Sequence, residues 1–225
     1  MLNLWPKMMS EKSTHQKAEM RIKPWKAPSW VPKEVHTPTT KAKFANVPTP
    51  IEPWGLQFSG KNFFIKRDDL TGVDLTGNKV RKLEFLASDA VENNCDTLIA
   101  WGAATSNHCR TTAICAAKMG MECHLLLTNG DKEITYESGN ITLASAAGAK
   151  LYRMENCTFA EADSRMKKLS DKLSTQGKRP YIIPRGGSNA ASLWGYIDCW
   201  QEMEKQEYFS QITDVVVVSG SLSSY

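Results

Sequence analysis

From residue 62 onward, short apolar segments alternate with segments long enough to form helices. The apolar segments are continuous rather than alternating, as at 97–101 and 122–127. Strands that are apolar on both faces and are separated by helices indicate parallel βα units, with helices covering both faces of the sheet. The sequence therefore predicts an open α/β fold with parallel sheets.

The same pattern predicts the individual elements. We expect strands at 62–66, 97–101, 122–127, 150–153, 181–184 and 214–218, and helices at 78–92, 107–119, 139–147, 159–175 and 190–208. In open α/β sheets, ligands bind beyond the carboxyl ends of the strands. The loops at 102–106, 185–189 and 219–225 are therefore expected to line a site.

Charge and cysteine content exclude several classes of function. Residues 1–45 hold nine Lys/Arg and three Glu, a charge of +6, and the remaining residues carry −2, which gives the net charge of +4. The rest of the chain therefore has no basic stripe typical of a nucleic-acid partner. No segment reaches the roughly 20 apolar residues that span a bilayer, which predicts a cytoplasmic protein without a membrane partner. The six cysteines form no CxxC pair, which predicts free thiols and no metal site.

A lysine follows a glycine turn at the start of a predicted helix, in Thr76-Gly-Asn-Lys79. A positive charge in the first turn opposes the helix dipole, so the pKa of this amine is expected to be lowered. A lowered amine pKa is what Schiff-base chemistry requires. The alternative is an ordinary surface lysine in a basic turn, and position alone does not decide between the two.

Two strand-to-helix loops carry groups suited to binding an anion. Ser106, Asn107 and His108 stand at the start of one predicted helix, and Arg185-Gly-Gly-Ser-Asn189 precedes another. Capping side chains and free amides at a helix start can hold a carboxylate, although simple capping is the alternative. No nucleophile elbow surrounds Ser106, and the dinucleotide and Walker fingerprints are absent, which argues against a serine hydrolase and against NAD or ATP binding.

Four motifs in one order carry a family resemblance: K-R-D-D-L-T-G (66–72), G-N-K-V-R-K-L-E (77–84), S-N-H-C-R (106–110) and G-G-S-N…W-G-Y (186–196). Together they resemble the D-cysteine desulfhydrase and 1-aminocyclopropane-1-carboxylate (ACC) deaminase family over residues 49–218. The resemblance implies pyridoxal 5'-phosphate (PLP) as cofactor and PLP fold type II, which is tryptophan synthase β-like. It also implies a small amino-acid substrate and a homodimer as a candidate assembly.

The resemblance also implies roles for individual residues. Lys79 matches the lysine that binds the cofactor covalently and later moves the Cα proton, and Asn107 matches the asparagine that contacts the cofactor's phenolic oxygen. Ser106 matches the serine that contacts the substrate carboxylate, joined by the amides of Asn107 and His108, and it is the proposed nucleophile of the deaminase branch. The Ser-Asn-His order looks more like the desulfhydrase branch, so conversion of D-cysteine to pyruvate, hydrogen sulfide and ammonia is expected. Opening of ACC to 2-oxobutanoate and ammonia is the alternative.

Domain boundaries follow from the same resemblance. A small α/β domain is expected at 83–186, and an incomplete large PLP domain at 46–82 plus 187–225, after a basic leader at 1–45 that is a candidate for disorder. The chain departs from the family by having Gly102-Ala-Ala-Thr105 where Gly-Gly-Ile-Gln is usual. The phosphate-binding loop expected at 219–225 also diverges, so we expect a C-terminally truncated chain, for which an inactive fragment is a further alternative. A nucleotide-binding α/β protein is the third interpretation.

Overall fold

The structure, a computed structural model, describes residues 18–128, 139–155 and 157–217. Its strands are β1 (Ile22–Pro24), β2 (Thr40–Ala42), β3 (Ile51–Phe58), β4 (Lys61–Lys66), β5 (Thr97–Ala103), β6 (Glu122–Thr128), β7 (Lys150–Met154) and β8 (Pro180–Ile182). Its α-helices are α1 (Lys79–Glu92), α2 (Asn107–Met119), α3 (Gly139–Ala146), α4 (Phe159–Thr175) and α5 (Ala190–Met203). Within these ranges, no helix is long and apolar enough to cross a bilayer.

The central sheet has four parallel strands in the order β7-β6-β5-β8. Along β5 the buried side chains divide between two clusters: Leu98 and Ala100 belong to the cluster that includes α1 and α2, whereas Ile99 and Trp101 pack with α4. Helices therefore cover both faces of the sheet, as the apolar strands predict. The carboxyl ends of β5 and β8 lead into the loops at 102–106 and 185–189 on the same edge.

Local signals explain where the helices begin. Ser106 caps α2 by accepting a hydrogen bond from Cys109 N, and Thr158 forms a reciprocal capping box with Glu161 at the start of α4. Asn189 forms a similar box with Ser192 at the start of α5. The predicted bounds of α2 and α4 are confirmed residue for residue.

Several predictions of local structure are wrong. Residues 22–24, 40–42 and 51–58 form strands that were not predicted. The strand predicted at 62–66 lies in β4, which pairs antiparallel with β3 rather than belonging to a parallel βα unit. Helix α5 ends at Met203 rather than at residue 208, because the backbone turns after Glu204 and a 3-10 turn follows at Phe209–Gln211. Residues 214–217 do not form the predicted strand, since the described part of the chain places no strand beside them.

The segment from residue 18 to residue 45 packs against the α/β unit. Ala18 and Ala42 lie in the main core cluster, and β2 contacts α1. The Trp25 ring meets Phe85 and Trp194, and its Nε1 donates to Asp198 Oδ1 at 2.7 Å. This part of the basic leader is therefore ordered, whereas residues 1–17 lie outside the described ranges.

The six cysteines are all free. Cys109, Cys115, Cys123 and Cys199 are buried, and burial raises the pKa of each of these thiols. No cluster of three or more candidate metal ligands occurs among the residues described.

Candidate active site

Lys79 is the first residue of α1 and is half-buried. The turn before it contains Gly77 at φ 95°, a left-handed conformation that favours glycine. Burial lowers the pKa of the Lys79 amine, and none of the described residues bonds to it. An amine that is partly desolvated and not held by a carboxylate is suited to attack a carbonyl group.

Lys82 lies one helical turn after Lys79 and is 1% exposed. Its Nζ donates to Gly186 O at 2.5 Å and to Ser188 Oγ at 2.9 Å. Burial, and then the charge of Lys79, lower the pKa of Lys82 to about 7. Lys82 was not among the site residues predicted from the sequence, although its i, i+3 spacing from Lys79 places both on one face of α1.

His108, in the first turn of α2, is 5% exposed, and neither ring nitrogen has a hydrogen-bond partner among the described residues. Burial, followed by the charges of Lys79 and Lys82, lowers the pKa of His108 to about 3. The imidazole is therefore neutral at ordinary pH. Unsatisfied buried groups of this kind cost about 1–3 kcal/mol each, which favours a site that receives a polar ligand or water.

Ser106 and Asn107 begin the same helix. Ser106 Oγ accepts from Cys109 N at 3.2 Å, which leaves the hydroxyl proton available to donate. Because this cap uses the N–H of Cys109, the amides of Asn107 and His108 remain, and none of the described residues accepts from them. The helix start therefore offers two backbone donors and one hydroxyl to an anion. Ser106 also makes the simple cap that the sequence left open as the alternative.

Asn140, in α3, is a polar neighbour of this helix start that sequence reasoning missed. Its Nδ2 donates to Thr105 O at 2.7 Å and to Asn107 Oδ1 at 3.0 Å. The bond to Oδ1 orients the Asn107 amide, with its own NH2 group directed away from Asn140 and free to donate. No local signal in the sequence connects residues this far apart.

Two glycines allow neighbouring segments to approach each other closely at the site. A Cβ at Gly102 would lie 3.0 Å from Ser106 Oγ and 3.0 Å from Cys109 Sγ, so the glycine lets β5 approach the start of α2. Gly187 has φ 64°, and a Cβ there would lie 3.3 Å from His108 Cε1 and 3.2 Å from Leu86 Cδ1. The 185–189 turn thus closes against His108 and Lys82.

A third glycine sets the position of α1 itself. A Cβ at Gly195 would lie 2.5 Å from Arg81 O and 2.9 Å from Lys82 N, so the α5 backbone touches α1 directly beside the two lysines. Next to it, Asn78 Nδ2 donates to the Tyr196 hydroxyl at 3.0 Å. The W-G-Y and G-N-K-V-R-K motifs are therefore two sides of one helix–helix contact.

These elements define an α/β protein with a desolvated lysine and an anion-accepting helix start at the carboxyl edge of a parallel sheet. The chain belongs to the pyridoxal-phosphate dependent enzyme family, whose model matches residues 43–224. The structure is similar to that of an ACC deaminase homologue, with a TM-score of 0.67 and 30% identity, over 74% of this chain and 51% of that one. The fold is accordingly PLP fold type II.

A curated relative is the "Bifunctional D-cysteine desulfhydrase/1-aminocyclopropane-1-carboxylate deaminase, mitochondrial" of Arabidopsis thaliana. It is 37% identical over 233 residues, which cover 98% of this chain and 58% of the relative. The family resemblance predicted from the four motifs is confirmed, and with it PLP as the family's cofactor. The chain spans little more than half the length of the relative.

The described residues fit this cofactor. They offer an amine for covalent attachment at Lys79, unsatisfied imidazole nitrogens at His108, and a helix start with two free backbone amides at Asn107 and His108. The terminal loop at 219–225, where a phosphate-binding loop is expected from the family resemblance, lies outside the described residues.

Proposed function

We propose that this chain supplies the lysine side of a PLP enzyme site that carries out β-elimination on a small amino acid. The favoured reaction converts D-cysteine to pyruvate, hydrogen sulfide and ammonia. The observation that carries the proposal is the Lys79 amine, desolvated and without a partner among the described residues, next to the helix start at Ser106–His108. The bound cofactor would act as an electron sink for charge that develops at Cα.

Side chains and backbone amides of this chain would bind the cofactor and the substrate and transfer the proton. Lys79 would hold the cofactor, and its amine, once free, would move the proton at Cα of the substrate. The Ser106 hydroxyl and the amides of Asn107 and His108 would bind the substrate carboxylate and so fix the substrate's position in the site. The Asn107 side chain, held by Asn140, is the group that would donate to the cofactor's phenolic oxygen. These assignments follow the family motifs residue by residue.

ACC deamination is the second candidate reaction. The name of the Arabidopsis relative carries both activities, and Ser106, which matches the proposed nucleophile of that reaction, stands at the start of α2. His108 favours the desulfhydrase branch. Assays of sulfide release from D-cysteine and of 2-oxobutanoate release from ACC, on the same preparation, distinguish the two.

The first experiment tests covalent binding of PLP to Lys79. The purified chain is titrated with PLP and followed by visible absorbance, then reduced with borohydride, and the modified lysine is located by mass spectrometry. We expect a cofactor band that is lost in Lys79→Ala and retained in Lys61→Ala, which removes an exposed lysine from β4. A modified lysine other than Lys79 would contradict the proposal.

An inactive fragment remains the competing proposal for this chain. It rests on the chain's 58% coverage of the Arabidopsis relative. PLP binding without product from either substrate would favour a binding-only role. Product formation that depends on Lys79 would rule that role out.

Three further predictions from the sequence also stand as proposals. The small domain at 83–186 is expected to fold around the central sheet, with the large domain formed by 46–82 and 187–225. A homodimer is expected, and sedimentation measurements test it. The cytoplasmic location is tested by imaging a fluorescent fusion, and this test is needed because the Arabidopsis relative is named mitochondrial.

A further inference from the structure

Arg110 is the last residue of the S-N-H-C-R motif, and the proposed function gives it no role. It lies on α2, three residues after Asn107, and is 6% exposed. Its guanidinium donates to Asp74 O at 3.2 Å and makes a longer contact with Thr76 O at 3.5 Å. Both carbonyls belong to the turn at 71–78 that leads into α1, called here the lysine turn. The helix that offers donors to an anion therefore also contacts the segment that carries the lysine.

The Arg110 guanidinium is buried without a counter-ion. Among the residues that the structure describes, no carboxylate pairs with it and its Nε has no hydrogen-bond partner. Burial of an unpaired guanidinium is costly, and an apolar side chain of similar size would fill the same space at a lower cost. What only a guanidinium adds at this position is its N–H groups, which bond to the backbone of the lysine turn. Its contribution is therefore to that turn rather than to the packing of the core.

Two further side chains of α2 hold the same turn. Ile114 packs against the apolar cluster that includes Leu75, and Lys118 Nζ binds Asp74 Oδ2 at 2.8 Å. Positions 110, 114 and 118 are four residues apart, so they lie on one face of the helix. That face of α2 contacts the lysine turn along two helical turns.

The lysine turn is also bonded internally. Gly77 N donates to Asp68 O and to Thr71 Oγ1, both at 3.0 Å. These bonds protect the Gly77 amide from exchange with water only while the turn is closed. Hydrogen exchange in this segment therefore reports whether the turn is held in place.

We propose that Arg110 is a positioning residue, which fixes the lysine turn against α2 and thereby places the Lys79 amine relative to the anion-binding start of that helix. This inference rests on the proposed function of Lys79, and it deepens it. One helix then carries both the groups that bind a carboxylate and, one turn later, the donor that holds the lysine turn. A displacement of about 1 Å between groups that act on one substrate can slow a reaction about 100-fold, so a fixed link between them supports catalysis.

The first measurement follows the lysine turn itself and needs no cofactor. Hydrogen exchange of the full chain is quantified by mass spectrometry in peptides that span 71–79, for the natural chain and for Arg110→Met. Methionine fills a similar space but has no N–H donor. Arg21→Met is the matched control, because Arg21 Nε also donates to a backbone carbonyl, that of Lys118 at 3.0 Å, at the other end of α2.

We expect Arg110→Met to speed exchange at 71–79 about tenfold, the effect of losing one hydrogen bond from a charged donor. Exchange in β5 and β6 should not change. Lys118→Met removes only a partly exposed ion pair and should change exchange at 71–79 by less than about threefold. Arg21→Met should leave exchange at 71–79 as it is in the natural chain.

The second measurement tests whether the turn places the lysine. Each variant is treated with PLP and reduced with borohydride, and the adduct on Lys79 is quantified by mass spectrometry over time. We expect Arg110→Met to slow attachment at Lys79 about tenfold. Arg110→Lys should restore part of the rate, because a single ammonium keeps the charge but cannot match the two-pronged guanidinium. Attachment at the exposed Lys61 should be the same in every variant.

Three results would overturn the inference. Unchanged exchange at 71–79 in Arg110→Met would show that the turn holds without this side chain. Exchange that rises equally in β5 and β6 would make Arg110 an ordinary structural residue. Faster exchange of the turn with unchanged attachment at Lys79 would show that the turn does not place the lysine.

Two further outcomes are distinguished from these. Where Arg110→Met does not fold, Arg110→Lys carries the same comparison, with faster exchange at 71–79 and slower attachment at Lys79, each by a smaller factor. Absence of PLP attachment at Lys79 in the natural chain would contradict the proposed function. Faster exchange confined to 71–79 would still support the link between Arg110 and the lysine turn.

Discussion

Gly195 is the residue at which two helix backbones meet. Replacing it with alanine would place a methyl carbon 2.5 Å from the Arg81 carbonyl oxygen, closer than van der Waals contact allows. Overpacking of this kind costs about 1–3 kcal/mol. We expect Gly195→Ala to lower the free energy of unfolding by this amount in urea denaturation.

The matched control for Gly195 is Gly55, in β3. A Cβ at Gly55 would meet nothing within 4 Å. Gly55→Ala should therefore leave the urea midpoint nearly unchanged. Equal effects of the two substitutions would show that the α1–α5 contact does not limit stability.

Glu122 illustrates a pH effect at the residue scale. Its carboxylate pairs with Lys178 and with Lys150, and these partners lower its pKa to about 2. A carboxylate whose pKa falls on folding stabilises the folded state above its unfolded pKa, and this contribution is lost as the pH falls from about 4.5 toward 2. Water screens the pair, so its contribution is at most about 1 kcal/mol.

We therefore expect Glu122→Gln to be slightly less stable than the natural chain at pH 7, with a difference that shrinks as the pH falls below about 4.5. Urea midpoints measured from pH 7 to pH 3 check this. A difference that stays constant with pH would assign the effect to lost packing rather than to charge.

At the scale of elements, one buried ionic network joins three parts of the fold. Arg81, on α1, is 2% exposed at its side chain and binds Asp68 of a 3-10 turn at 2.8 Å and Glu202 of α5 at 3.0 Å. Thr49 Oγ1 accepts from the same guanidinium at 3.1 Å. Removing one partner of a buried pair leaves uncompensated charge, which costs about 3–5 kcal/mol.

Arg81→Met is accordingly expected to destabilise the chain by about 3 kcal/mol. Arg67 offers a matched comparison, because it also binds two carboxylates, those of Glu52 and Asp69, but at the surface. Arg67→Met should have little effect on thermal unfolding. Comparable losses in both variants would indicate that burial is not what makes the Arg81 network stabilising.

Elements with strong local signals could be predicted, and those fixed by tertiary pairing could not. Helices α2 and α4 have capping residues at their starts, and their bounds were obtained from the sequence. Strand β3 contains Pro53 and Gly55, which interrupt a strand pattern, and its irregular pairing with β4 compensates for them. Valines at 215–217 favour a strand intrinsically, but a strand requires a neighbour to pair with.

At the scale of the whole molecule, this valine segment exposes large apolar side chains at the surface. Val215, Val216 and Val217 are 51%, 89% and 53% exposed. Exposed β-branched segments without charge promote association between chains. We expect Val216→Lys to reduce concentration-dependent aggregation, measured by light scattering, without changing the circular dichroism spectrum; unchanged aggregation would place the associating surface elsewhere.

The candidate site was predicted only in part, because some of its residues are placed by tertiary contacts that the sequence does not reveal. Lys79 and the Ser106–His108 segment are recognisable because each stands at the start of a helix after a glycine-containing or polar loop. The burial of Lys82 depends on a turn more than a hundred residues away, as its bond to Gly186 shows. The contact of Asn140 with Asn107 depends likewise on how α3 packs.

The backbone contact at Gly195 also has a consequence for synthesis. The helix that begins with Lys79 leaves the ribosome well before the residue that fixes its position. At roughly 5–20 residues per second, the delay is on the order of ten seconds. During that interval the nascent α1 lacks the helix that covers it, so the lysine site can be assembled only after α5 has emerged from the exit tunnel.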